Sequence, residues 1–141
     1  MKPQFFLIIF VLFIYSCSED PNENNQKLKV QTNKSSYQSN DSISFIINNS
    51  NSSTAHLASC CTSLAFYIDK NENGNWLEHS NFGLPCLAMC PGIDLTIRYM
   101  ETITNSLSLN ENGTYRIRIP YSFNSNYVFE NELISNSFTV Q

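Results

Sequence analysis

The stretch "LNENGTYRIRIPYSF", residues 109–123, is written with a period of two. Tyr115, Ile117, Ile119 and Tyr121 fall at every second position, with Arg116 and Arg118 between them. Successive side chains of a strand point to opposite faces, so this alternation describes a strand with one buried face and one wet face. The preceding "NENG" is turn chemistry, because Asn and Gly accept backbone angles that other residues resist.

The same period recurs along the chain from Leu28. "KLKVQT" puts Leu28 and Val30 on one face, and "SISFIIN" does so with Ile43, Phe45 and Ile47. "TSLAFYID" offers Leu64, Phe66 and Ile68, and "ENGNWLEH" turns at Asn73-Gly74, an Asn-Gly hairpin signal, into a strand holding Trp76. "DLTIRYM" follows with Leu95, Ile97 and Tyr99, and "LISNSFTV" closes with Ile134, Phe138 and Val140. Short strands separated by Asn, Ser and Gly clusters, with no amphipathic helix among them, predict an all-β domain of two packed antiparallel sheets.

Gly113 followed two residues later by Tyr115 resembles the tyrosine corner that opens strand F of immunoglobulin-like domains. The order "YQSNDSISFIINNS", "YIDKNENGNWLE", "GTYRIRIPY" resembles the small immunoglobulin-like domains carried on bacterial lipoproteins. The resemblance implies an immunoglobulin-like antiparallel β-sandwich of about seven strands over residues 28–141. Ile117 stands where antibody domains place the strand-F cysteine, so their core bridge is not expected. Some intracellular protease inhibitors share this architecture, which leaves an inhibitor role open by fold analogy alone.

The N-terminus reads as an export signal. "MKPQFFLIIFVLFIYSC" has one lysine and then an apolar run, Phe5 to Ile14, of about ten residues, whereas a membrane-spanning helix needs roughly 20. Its end at Cys17 resembles the lipobox of bacterial lipoproteins, where cleavage precedes a cysteine that then carries lipid. Ile14 and Ser16 fit that pattern, and Tyr15 is bulkier than usual for it. The resemblance implies a signal peptide over residues 1–16 and a flexible tether over 17–27, with Cys17 acylated and holding the protein to a membrane. Glu19 and Asp20 resemble the surface-export signal of Bacteroidota lipoproteins, which points to the outer membrane and to surface exposure.

Lys2 is one of eight basic residues against twelve acidic ones, so removing the signal takes the formal charge from −4 to −5. An acidic chain of this kind lacks the basic face that nucleic acid requires. With Cys17 carrying lipid, Cys60, Cys61, Cys86 and Cys90 remain, an even number in an exported chain, and two disulfides are expected. A vicinal Cys60–Cys61 bridge closes almost no loop. Cross-pairing with Cys86 and Cys90 closes loops of roughly 25 to 30 residues and is worth about 3 to 4 kcal/mol for a bridge formed alone. Which of the two cross-pairings forms stays open. On a strand, Cys60 and Cys61 face opposite ways, which works against a tetrahedral zinc site. "CLAMCP" resembles the C-x3-C-P copper motif of cytochrome-oxidase assembly proteins with Met89 as a soft ligand, yet His56 and His79 both lie upstream, where that family has a downstream histidine. No cofactor is expected, and zinc or copper handling by the four thiols is the alternative function.

A nucleophile elbow, a paired-carboxylate signature and a zinc-protease motif are all missing from the sequence, so the chain is not expected to be an enzyme. Tyr121, Phe123, Tyr127 and Phe129 flank "NSN" and form a candidate surface for a protein or glycan ligand, with hairpin packing as the plainer expectation for Tyr121 and Phe123. "NNSNSSTAH" is a second exposed candidate that reads equally as a connector. "Asp41-Ser42-Ile43" resembles the O-glycosylation acceptor of Bacteroidota envelope proteins, which makes Ser42 a modification candidate.

Overall fold

The computed structural model describes residues 28–86, 95–126 and 128–141. In chain order the strands are β1 (Leu28–Thr32), β2 (Ser36–Tyr37), β3 (Ile43–Asn49), β4 (Ala55–Leu57), β5 (Ser59–Cys60), β6 (Ser63–Leu64), β7 (Phe66–Glu72), β8 (Asn75–Phe82), β9 (Leu95–Ile97), β10 (Thr102–Leu107), β11 (Gly113–Ser122), β12 (Asn131–Ile134) and β13 (Phe138–Val140).

One sheet runs β1-β3-β10, with Ile47 opposite both Val30 and Ile103. The other is built around β11. β13 and β12 pair with its first and second halves along one side, and β7 and β4 do the same along the other. β8 lies outside β7, β9 lies outside β4, and β2 joins β13 in parallel. β1, β3 and β10 thus stand as strands A, B and E against C′, C, F and G, an immunoglobulin-like β-sandwich.

The core follows from the alternation. Tyr115, Ile117, Ile119 and Tyr121 of β11 turn inward to meet Ile43, Phe45 and Ile47 of β3, all of them buried. Ile117 sits opposite buried Ile68 of β7. Aliphatic packing thus occupies the ground where antibody domains carry a cysteine bridge.

The tyrosine corner is present. Tyr115 Oη donates to the carbonyl oxygen of Glu111 at 2.9 Å, locking the turn into β11. Gly113 lets the chain pass close beside them: a Cβ there would lie 2.8 Å from Lys70 Cε and 3.1 Å from two Tyr115 ring atoms, so the lysine and the ring would have to shift. Lys70 in turn pairs with the Glu111 carboxylate. The shared hydrogen bond holds the Glu111 carboxyl below its usual range and lifts the Lys70 ammonium above its own.

Three expectations shift in phase or extent. In "LISNSFTV" the inward residue is Leu133, while Ile134 is 46% exposed. Residues 135–137 interrupt the strand, with Ser135 Oγ accepting the Ile117 N–H at 2.9 Å, and that irregularity moves the alternation by one. Tyr99 does not continue the face of Ile97, because the chain turns at Tyr99 and Met100. Among strands of three or more residues, β4 and β10 were not expected. β10 reads "TITNSL", too polar to announce itself, and β4 begins inside the Asn/Ser segment that read equally as an exposed surface and a connector.

Candidate functional site

Strand C of the sandwich is broken in two. Leu57 pairs with Tyr121 and Tyr67 pairs with Arg118, nearly adjacent positions on β11, so residues 58–65 are looped out between them. The base is closed by Ala58 N–H to the Pro120 carbonyl at 2.9 Å and Ala65 N–H to the Ala58 carbonyl at 2.8 Å. The neighbouring strand breaks at the same level, since Phe82 lies opposite Phe66 and Leu95 opposite Leu57. Two excursions therefore leave adjacent strands side by side, and a Cys60–Cys86 disulfide ties them together with Cα atoms 5.1 Å apart.

Cys60 ends β5, whereas Cys61 lies in the tight turn to β6 with a left-handed backbone, φ 58°. The two are not successive residues of one strand, as the sequence suggested. Cys61 is also disulfide-bonded, and Cys90 lies outside the described residues. Sulfurs joined in this way are not thiolate ligands. Among the described residues no group of three or more His, Cys, Asp or Glu side chains could hold a metal ion.

Where the second excursion departs, Gly83 has φ 72°, and a Cβ there would meet the Cβ atoms of Ala65 and Cys60 at 3.3 Å. Only glycine adopts this angle without cost while letting the two excursions approach. Between them and strand β10 lies a cleft of about 470 Å³. Leu64, Phe66, Phe82 and Leu95 form its apolar side, and Ile103 and Asn105 form the β10 side. Phe66 stacks on Phe82 at 4.8 Å and meets the core ring of Phe45 edge-on at 5.3 Å, so the cleft floor is continuous with the core. Among the described residues β10 pairs only with β3, and Ser106 N–H, turned away from β3, is taken by its neighbour Asn105 Oδ1 at 2.7 Å.

A second feature lies at the end of the sandwich where β3 and β11 finish and β4 and β10 begin. Asn49 organises it. Its side-chain amide donates to the carbonyls of Ser53 and Ile97 at 2.9 and 2.8 Å, its side-chain oxygen accepts the Asn51 N–H at 2.8 Å, and its backbone carbonyl accepts the Met100 N–H at 2.7 Å. The "NNSNSSTAH" segment is therefore tied down at its start and enters β4 at Ala55, with Ala55 and Leu57 buried. The turn held by Asn49 presents Tyr99 and Met100, 57% and 73% exposed, and Met100 sits at φ 64°. A side chain in that region costs on the order of 1 kcal/mol.

The aromatic candidates divide. Tyr121 belongs to the core, where burial pushes its phenol up. Phe123 meets Tyr121 edge-on at 5.5 Å and is partly exposed, as is Phe129. Tyr127 and Cys17 lie outside the described residues. Ser42 is exposed immediately before β3.

The outer face of the larger sheet carries a charged cluster outside the sequence candidates. Asp69, buried on β7, accepts from Arg116 Nε at 3.1 Å and from Arg118 Nη2 at 3.1 Å, and Arg118 also reaches Glu78 and Glu132. Arg116 lies over Trp76 and Arg118 over Tyr67. Burial works against the Arg118 charge, but hydrogen bonds to Asp69 and Glu132 outweigh it and hold its pKa above the ordinary value. With its donors taken up by three carboxylates, Arg118 fastens four strands rather than presenting a free cation. The signal was legible in "YRIRI" and "FYID", whose outward residues alternate as Arg, Arg and Tyr, Asp.

No family model matches the chain, and no curated protein matches it. Among solved structures it is similar to a superoxide reductase (neelaredoxin) from Ignicoccus hospitalis. The two are 10% identical with a TM-score of 0.40, over 82% of this chain and 80% of that one. It is also similar to a CARDB domain from Pyrococcus furiosus solved in complex with di-metal ions, 16% identical with a TM-score of 0.40, over 81% and 87% of the two chains. Likeness at this level says nothing about the chemistry of this chain.

Proposed function

We propose that this protein is a lipid-anchored, non-enzymatic binding module of a bacterial outer membrane, held through Cys17, and that it takes an extended polypeptide segment in the cleft beside β10. In this reading Cys61 bonds Cys90, so two bridges hold the excursions rigid. The observation that carries it is the cleft itself: an apolar wall of Leu64, Phe66, Phe82 and Leu95 facing the outer edge of a strand. A peptide laid along such an edge gains main-chain hydrogen bonds and sets alternate side chains into the apolar wall. Pre-organisation by the staple lowers the ordering cost of binding.

The test is Thr104→Pro in the full chain. Thr104 is exposed, and in an antiparallel pair the N–H groups two residues apart point the same way, so its N–H shares the outward side with that of Ser106. Proline there removes an edge donor and leaves the ladder to β3 intact. Binding of a library of synthetic ten-residue peptides should be present in the native chain and at least tenfold weaker in Thr104→Pro, with unchanged melting. Equal peptide binding by the two proteins, or none by the native chain, rejects the proposal.

A further inference from the structure

Five of the eight large apolar side chains that stand exposed among the described residues, Tyr99, Met100, Phe123, Val128 and Phe129, lie in loops at one end of the sandwich. The register places them together. The Tyr99–Met100 turn hangs from Asn49, the last residue of β3, residues 123–126 leave the end of β11, where Ser122 faces His56 at the start of β4, and residues 128–130 lead into β12 at the same end. The other three, Leu77, Phe82 and Ile134, are on strands. The loops at the far end, residues 33–35, 38–42, 73–74 and 108–112, expose no large apolar side chain, since Leu109 is buried.

The chain preceding β1 joins at the apolar end, because Leu28 is paired with Asn49. The C-terminus leaves from the far end, where Val140 is paired with Gly113. In the lipid-anchor reading Leu28 lies eleven residues after Cys17, and a flexible coil of that length would span roughly 18 Å. β11 alone, ten residues long, measures about 33 Å. On that reading the apolar end is the one nearer the membrane.

We infer that the Tyr99–Met100 turn and the loop bearing Phe123, Val128 and Phe129 dock into the headgroup and acyl boundary of the bilayer, orienting the sandwich. This rests on the lipid-anchor reading. Tyrosine suits that boundary, with an apolar body that leaves water and a hydroxyl that stays in it, and the two phenylalanines add apolar area. Of the charged residues described at this end, Lys29 and Arg98 balance Glu101 and Glu130, and Glu132 is paired with Arg118, so the docking is apolar and indifferent to lipid charge. The tether supplies the local concentration that makes a small apolar contact sufficient.

The experiment uses the full lipidated chain on phosphatidylcholine vesicles containing lipids brominated in the upper acyl chain. Trp76, far from the docking end on β8, is the internal control in the native protein. A second protein carries Met100→Trp together with Trp76→Phe. Its emission should be quenched at least threefold more than that of Trp76, equally in vesicles with and without phosphatidylglycerol. Hydrogen exchange on the unmodified chain should show residues 98–101 slowed on vesicles and residues 110–112 unchanged, which keeps the test independent of the substitution. Equal quenching of both tryptophans while the protein floats with the vesicles overturns the docking and leaves the anchor standing. Failure of the native chain to float overturns both. Protection of the loops only after envelope proteins are added overturns the lipid surface in favour of a protein partner.

Discussion

Tyr115 holds two regions of the sandwich with one ring. It stacks on Phe138 at 6.0 Å and meets His79 edge-on at 5.4 Å, while its hydroxyl donates to Glu111. Burial pushes the phenol up, as it must for a group whose neutral form is the one that donates. Tyr115→Phe keeps the ring and deletes the hydrogen bond, leaving the Glu111 carbonyl without that donor. The expected loss is about 1 to 1.5 kcal/mol, or roughly 4 to 8 °C in melting temperature for a domain near 100 residues. Thermal melts of the purified variant measure it, and an unchanged midpoint would show that the corner contributes shape alone. The Gly-x-Tyr spacing made this contact legible in the sequence. Its reason, the near-collision of a Cβ with Lys70 and the ring, was not legible, because Lys70 comes from a distant strand.

Elements were legible where one face is apolar and the strand is long, as in β1, β3, β7 and β11. Harder to see were the strands on either side of an interruption. "TSLAFYID" alternates without a break, yet Leu64 belongs to a small hairpin and Phe66 to the sheet, and what parts them is a hydrogen bond from Ala65 back to Ala58. Nothing local encodes that bond. The cysteine count pointed to bridges, while the choice of Cys86 for Cys60 depends on two excursions leaving adjacent strands at one level. With a sequence separation of 26, that bridge is worth about 3.5 kcal/mol in the chain-entropy model if it stands alone, and less while Cys61 is also bonded. The double variant Cys60→Ser, Cys86→Ser is therefore expected to lose about 2 to 3 kcal/mol in urea unfolding and to keep its strand signal in circular dichroism. It should also lose peptide binding at the cleft, since the wall is no longer pre-organised. Full stability with full binding would show that the staple is incidental to both.

At the scale of the whole molecule, the fold gives its two ends different surfaces and joins the preceding segment to the apolar one. The all-β class was legible because alternation repeats along the chain. The apolar end was not, since Tyr99 seemed to extend the face of Ile97 and only the turn held by Asn49 brings Tyr99 and Met100 to the surface. The proposed function and docking presuppose a chain that is exported, cut, acylated and oxidised. Those covalent changes are read most directly by the intact mass of the protein purified from bacterial envelopes without reductant. The predicted mass begins at Cys17, carries acyl chains on that residue and lacks four hydrogens from Cys60, Cys61, Cys86 and Cys90. A mass equal to the full 141-residue chain, unacylated and with its thiols intact, would contradict the account.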